Sequence, residues 1–189
     1  MNRYICFDTE TGGTTLDTSL FTACFVALDE NLNVVDELDL LVKPDNDQYV
    51  VTAQALTVNH INIIAHDGVA IPYKTAKPKL YQFLQKNSNG GAEKLTPIGH
   101  GIYFDILRIK QDLIGAGTWD TFVSYRTIDT SIICQFLRAA KLFPDDVSGS
   151  LGSLVSYFNL SPQGELHTAR TDTLQTVAVL KELLKIVKK

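Results

Sequence analysis

Seven residues near the start of the chain, Tyr4-Ile5-Cys6-Phe7-Asp8-Thr9-Glu10, set the hardest condition on any fold it adopts. An apolar run leads straight into two carboxylates, Asp8 and Glu10, with one residue between them. Such a run reads as a buried strand, and a strand turns alternate side chains to the same face. Asp8 and Glu10 therefore emerge side by side near the strand's end. Neighbouring carboxylates repel, and the usual remedies are a shared proton, basic partners or divalent cations. Thr11-Gly12-Gly13 follows as a sharp turn. The rest of the chain has to bring a remedy to this point.

The pattern downstream predicts the frame. Strands are expected at about 3–8, 20–28 and 33–43, an antiparallel meander. Thr52 caps a short helix, and 59–72 reads as loop and turn. A helix is expected over 73–85, a short strand around 95–100 with Pro97 in it, and one helix over 103–114 ended by Gly115. A further short strand falls near 126–129. Helices are expected at about 130–141, 150–158 and 170–187. Strands first, then strands alternating with helices, give one α/β domain over 1–189, a mixed sheet flanked by helices.

Two later segments supply acids. In His100-Gly101-Ile102-Tyr103-Phe104-Asp105, a strand end passes into a helix start. Taken alone, Asp105 reads as a first-turn aspartate favoured by the helix dipole. In His167-Thr168-Ala169-Arg170-Thr171-Asp172, the chain enters its last helix. At about 100° per residue, Asp172 projects close to Val179, Leu183 and Ile186, on the core-facing edge of that helix. A charge there needs a partner: a buried hydroxyl, a backbone donor, or a metal shared with Asp8 and Glu10. His167 and Asp172 would diverge by roughly 140° on one helix, so a joint role places His167 on the loop before it. Spacing alone does not choose between histidines, because His100 and Asp105 stand in the same relation.

Taken together, these segments resemble a known family, the DEDDh 3′–5′ exonucleases of proofreading type, with a ribonuclease-H-like fold. Phe7-Asp8-Thr9-Glu10-Thr11-Gly12 is similar to the family's first motif, Gly99 to Asp105 to its second, and His167 to Asp172 to its third. Weaker similarity lies at 55–61 and 127–130. Gly101 stands where the family commonly has Asn, and Thr173 where it commonly has Ala.

The resemblance implies a mixed five-stranded sheet and a two-metal site for Mg²⁺ or Mn²⁺ built from Asp8, Glu10, Asp105 and Asp172. It implies Asp8 bridging the ions, Glu10 and Asp172 on the ion that activates water, and Asp105 on the ion facing the leaving group. It implies His167 as general base. Such ions sit roughly 3.5–4 Å apart and clamp the attacking and leaving oxygens. The expected reaction is release of nucleoside 5′-monophosphates from single-stranded 3′ ends, with DNA as the leading polymer. An exoribonuclease with the same catalytic set, or a catalytically weak module that grips nucleic acid or a DNA polymerase, are the alternatives. Thr9, Thr11, Leu16, Val58, His60 and Tyr103 are the implied contacts to the terminal nucleotide, by stacking and apolar wedging.

Charge and composition narrow the setting. A net charge of −4 argues against broad electrostatic binding to nucleic acid, though clustered carboxylates that bind cations remain compatible with a nuclease. No apolar run reaches membrane-span length, and Met1-Asn2-Arg3 leaves no room for a signal peptide before the first strand. Three dispersed cysteines, Cys6, Cys24 and Cys134, read as buried thiols, which suits the cytoplasm. Arg108 and Arg170 could meet phosphates, although single surface arginines usually carry no such role, and His66 reads as a surface loop residue.

Overall fold

The computed structural model describes residues 2–161 and 168–188. Its strands are β1 (Asn2–Thr11), β2 (Leu20–Asp29), β3 (Val34–Lys43), β4 (Ile71–Pro72), β5 (Thr96–Gly99) and β6 (Ile128–Asp129). Its α-helices are α1 (Ala53–Asn59), α2 (Ile63–Asp67), α3 (Tyr73–Asn87), α4 (Tyr103–Arg108), α5 (Ala116–Phe122), α6 (Thr130–Ala139), α7 (Leu151–Tyr157) and α8 (Ala169–Val187).

The strands form one mixed sheet in the order β4-β3-β2-β1-β5-β6. β1, β2 and β3 are the expected antiparallel meander. β5 runs parallel to β1, and β6 parallel to β5. The sixth strand was not expected: β4 lies inside the segment read as loop and pairs Ile71 and Pro72 with Val42 and Lys43. Pro72 is tolerated because β4 is an edge strand, where a missing N–H breaks no inner ladder. Pro97 sits in an inner strand, but β6 pairs with β5 only from Ile98 onward.

β2 is buried along almost its whole length, because both of its faces are covered. On one face, Ile5, Phe7 and Phe25 pack with Leu80 and Leu84 of α3 and Trp119 and Phe122 of α5. Trp119 meets Phe7 edge-on, with ring centroids 5.4 Å apart. On the other face, Cys6, Cys24, Val26 and Ile98 pack with Ala169, Val177 and Leu180 of α8. The outer side of α8, through Val179 and Leu183, continues onto Cys134 and Leu137 of α6 and Leu154 of α7.

The helix expected over 103–114 is split. α4 ends at Arg108, and Ile109–Ile114 continues as a π-helical turn, with Gly115 N–H donating to Lys110 C=O at 3.0 Å. Among the described residues, no helix is long and apolar enough to cross a membrane.

Candidate active site

Alternation along β1 divides the site between two layers. Cys6 belongs to the face covered by α8, while Ile5 and Phe7 belong to the face covered by α3 and α5. Asp8 and Glu10 follow Cys6, and Thr9 follows Phe7. α8 begins with Thr168 as its cap, whose hydroxyl accepts from Thr171 N–H at 3.2 Å. That start sets Asp172 in the first turn, against the strand end. One oxygen each from Asp8, Glu10 and Asp172 lie within 4.8 Å of one another. Thr9 turns the other way and donates its hydroxyl to Asp105 Oδ1 at 2.5 Å, on α4. The three carboxylates therefore converge from β1 and α8, and Asp105 stands beside them, held from the opposite layer.

The carboxylates of this cluster raise one another's pKa. Burial pushes the Asp8 carboxyl well above the usual range, and Asp105, Glu10 and Asp172 push it further. Glu10 is raised to about 8, by burial and then by Asp172 and Asp105. Asp105, 7% exposed, is raised to about 6 by burial, with the Thr9 hydroxyl and main-chain N–H groups working against the rise. Among the described residues, the groups that shift Asp8 and Glu10 most are other carboxylates. Protons and divalent cations are both remedies that such a set of acids can take. An all-oxygen, anionic donor set fits hard cations such as Mg²⁺, Mn²⁺ or Ca²⁺.

A pocket of about 310 Å³ opens beside Glu10, lined by Thr9, Thr11, Thr14, Thr15, Ala55 and Val58 among others. It brings together three of the expected nucleotide contacts, Thr9, Thr11 and Val58. The other three lie outside its lining. Leu16 is tied through its carbonyl to Arg108 and Gln111. His60 is exposed, in the left-handed conformation (φ 55°) that ends α1. Tyr103 is 73% exposed at the start of α4. Asn59, which the sequence did not single out, is buried and donates from Nδ2 to Thr11 C=O at 3.1 Å, fixing α1 against the end of β1.

Several expectations are corrected. Arg108 is not a surface phosphate ligand; it is 1% exposed and bonded to main-chain carbonyls. Arg170 is engaged with Glu37, Nε to Oε1 at 2.5 Å. His66 is buried, not a surface residue, with Nε2 2.9 Å from Val42 C=O and its ring edge-on to Phe21. His100 is held with Nδ1 2.9 Å from the Thr130 hydroxyl, and burial lowers its pKa. The other histidine in the same spacing, His167, lies outside the described residues.

Asp129 was also missed as a working residue. Its carboxylate accepts from Gly101 N–H at 3.0 Å, Ile102 N–H at 3.1 Å, Ser131 N–H at 2.9 Å and Ser131 Oγ at 2.7 Å. It caps α6 and at the same time fixes the turn that launches α4 and Asp105. The available signal was Asp129-Thr130-Ser131 before an amphipathic run, an N-cap pattern. Gly101 has φ 71°, a left-handed conformation that Gly and Asn adopt most readily, so its departure from the family's Asn leaves the turn intact. Thr173, the other departure, is fully buried and bonds back to Ala169 C=O at 2.6 Å, away from the carboxylates.

No family model matches the sequence, and no curated protein matches it. Solved structures do. Cell-death related nuclease 4 superposes with a TM-score of 0.71 over 97% of this chain and 64% of its own, at 16% identity. Exonuclease I gives 0.75 over 98% of this chain and 41% of its own, also at 16% identity. The zinc-bound E. coli exonuclease I complex with single-stranded DNA gives 0.77 over 98% and 41%, at 18% identity. At such identities the likeness is one of fold: the chain has the ribonuclease-H-like α/β fold of these exonucleases. It spans about two-fifths of exonuclease I and just under two-thirds of cell-death related nuclease 4.

Proposed function

We propose that a chain with this fold and this acidic cluster is a metal-dependent 3′–5′ exonuclease of DEDDh type, acting on single-stranded DNA. The observation that carries the reading is the approach of Asp8, Glu10 and Asp172 within 4.8 Å, with Asp105 adding charge to Asp8 and Glu10. Asp8, Glu10 and Asp172, with Asp105 beside them, would hold divalent cations. Cations there supply Lewis-acid stabilisation of phosphoryl oxygens and a water acidic enough to attack at neutral pH. Thr9 keeps Asp105 turned toward the cluster. The pocket beside Glu10, near the lower size limit of small-ligand sites, takes one terminal nucleotide against Val58 and Ala55, with threonine hydroxyls at its rim. His167, five residues before Asp172, serves as general base for the attacking water. E. coli exonuclease I has been seen with a dT13 oligonucleotide, which supports DNA as the polymer here. Three free, buried cysteines fit a reducing compartment such as the cytoplasm.

The test is digestion of matched 3′-labelled DNA and RNA oligonucleotides with Mg²⁺, with Mn²⁺ and with EDTA. Mononucleotide release from DNA in either metal, and none in EDTA, is the expected result. Intact substrate in both metals sinks the reading, and faster loss of label from RNA moves the polymer assignment. His167→Ala is expected to lose far more activity than His100→Ala; the reverse order would reassign the base.

A further inference from the structure

The loop of residues 12–19 between β1 and β2 contributes Gly13, Thr14 and Thr15 to the pocket beside Glu10. One buried side chain ties it down. Arg108, the last residue of α4, donates from Nη1 to Leu16 C=O at 2.6 Å and from Nη2 to Thr18 C=O at 2.6 Å. Asp112, one turn on, pairs with Nη2 at 2.5 Å. Gln111 donates from Nε2 to the same Leu16 carbonyl at 2.7 Å. The π-helical turn begins at this point and places 108, 111 and 112 along one side, toward the loop. Such turns are frequent at functional sites.

The arrangement is costly. Arg108 is 1% exposed, and among the described residues its Nε has no hydrogen-bond partner. A buried charge that is only partly satisfied stabilises poorly, and apolar groups of similar size often do as well or better. What only a planar fork of donors does is hold two carbonyls at a fixed separation. Within the loop, the Thr18 hydroxyl donates to Thr15 C=O at 2.7 Å, and the Thr11 hydroxyl to Gly13 C=O at 2.7 Å. Fixing Leu16 and Thr18 thus fixes Thr15 and, through Thr18, its contact with Gly13 at 3.2 Å. Arg108 lies three residues after Asp105 on the same helix.

We infer that Arg108, with Gln111, is a positioning residue: it locks the pocket's threonine-lined rim to the helix that carries Asp105, and so sets how tightly the terminal nucleotide is held. This rests on the exonuclease reading. A looser rim weakens substrate capture, while Asp8, Glu10 and Asp172, anchored on β1 and α8, keep their places.

The experiment compares wild type, Arg108→Lys, Gln111→Ala and, as a destabilised control away from the loop, Leu154→Ala. KM and kcat are measured on a DNA oligonucleotide, and amide hydrogen exchange is followed for residues 12–19 and for β2. Arg108→Lys keeps a charge beside Asp112 but cannot hold both carbonyls, so KM rises about tenfold with kcat little changed. Gln111→Ala, at an exposed position, gives a smaller rise in KM. Exchange quickens in 12–19 and not in β2. Leu154→Ala lowers the melting temperature without raising KM. A KM shift in Arg108→Lys no greater than in Leu154→Ala, or unchanged exchange in 12–19, overturns the inference. Should Arg108→Lys fail to fold, unchanged KM and exchange in Gln111→Ala do the same. If wild type turns over no substrate in either metal, the exonuclease reading falls, and the exchange measurement alone decides whether Arg108 locks the loop.

Discussion

Two aspartates near the ends of neighbouring strands are almost equally hidden: Asp129, the last residue of β6, is 8% exposed, and Asp105, on α4 after β5, is 7%. Burial works upward on both. At Asp129 the Gly101, Ser131 and Ile102 donors outweigh it, and the carboxyl lies below its usual range. At Asp105 the Thr9 hydroxyl and main-chain N–H groups do not, and the carboxyl rises to about 6. Asp8 and Glu10, adjoining Asp105, have even less compensation. The difference separates a carboxylate that holds the fold from carboxylates that wait for something else. Asp129 has four donors on its carboxylate, whereas the acids of the β1 cluster are raised by one another and by burial. Perturbed acids gathered at a cleft are what functional sites contain.

The largest expected effect breaks the two apart by substitution. Asp8→Asn removes a proposed metal ligand and a carboxyl that burial and its acidic neighbours disfavour as an anion. Nucleotide release should fall by about a thousandfold or more, the scale on which loss of one member of a catalytic set is felt. The melting temperature of the metal-free protein at pH 8 should rise, because folding no longer has to protonate or bury the Asp8 carboxylate. Activity near wild type, or a large loss of stability, would move Asp8 into the class of Asp129.

Asp129→Ala should do the opposite. It leaves the Gly101, Ile102 and Ser131 donors facing nothing, and each buried donor left unpaired costs about 1–3 kcal/mol. A net loss of about 3 kcal/mol in denaturant unfolding is expected, while Mn²⁺ still binds. Loss of Mn²⁺ binding in a folded Asp129→Ala protein would show that the two sites are not separable.

The pH response sharpens the same contrast. Glu10 binds its proton up to about 8 in the fold and up to its ordinary value of 4.5 when unfolded. Between those values the unfolded chain holds fewer protons, so metal-free stability falls as pH rises through that window. Asp129 has the reverse sign: its lowered carboxyl contributes stability above the ordinary range, lost as pH falls through the folded pKa. Thermal melts in EDTA should therefore decline from pH 5 to pH 8, and added Mg²⁺ or Mn²⁺ should raise the melting temperature more at pH 8, where fewer protons have to leave. A metal-free melting temperature that climbs over that interval would contradict the raised value of Glu10.

Much of this contrast was legible in the chain, but unevenly. The period-2 pattern of Cys6, Asp8 and Glu10 placed two acids on one face, and the 3.6-residue phase of the last helix turned Asp172 toward the core. Both are local regularities. The bond from Thr9 to Asp105 needs α4 to pass under the end of β1. The donors on Asp129 need β5 and β6 in parallel register, with Ile98 beside Ile128. Arg108 read as a free cation because its partners are carbonyls some ninety residues away, and backbone acceptors leave no mark in a sequence. β4 escaped because two residues on an edge have no period.

The smallest effect tests the single hydrogen bond that sets Asp105 between the two classes. Thr9→Val keeps the shape of the side chain and deletes the donor. The Asp105 carboxyl should then rise further, since the Thr9 hydroxyl opposes the rise that burial imposes. Activity should drop by about tenfold near pH 7, in line with loss of one hydrogen bond to a charged group, and recover in part at pH 9, where the carboxyl is again ionised. Thr9→Ser restores the donor and should restore the acid limb of the pH–rate profile. Because Thr9 also lines the pocket, a rise in KM with no shift of that limb would mean that its contact with the nucleotide, not its bond to Asp105, is what the reaction feels.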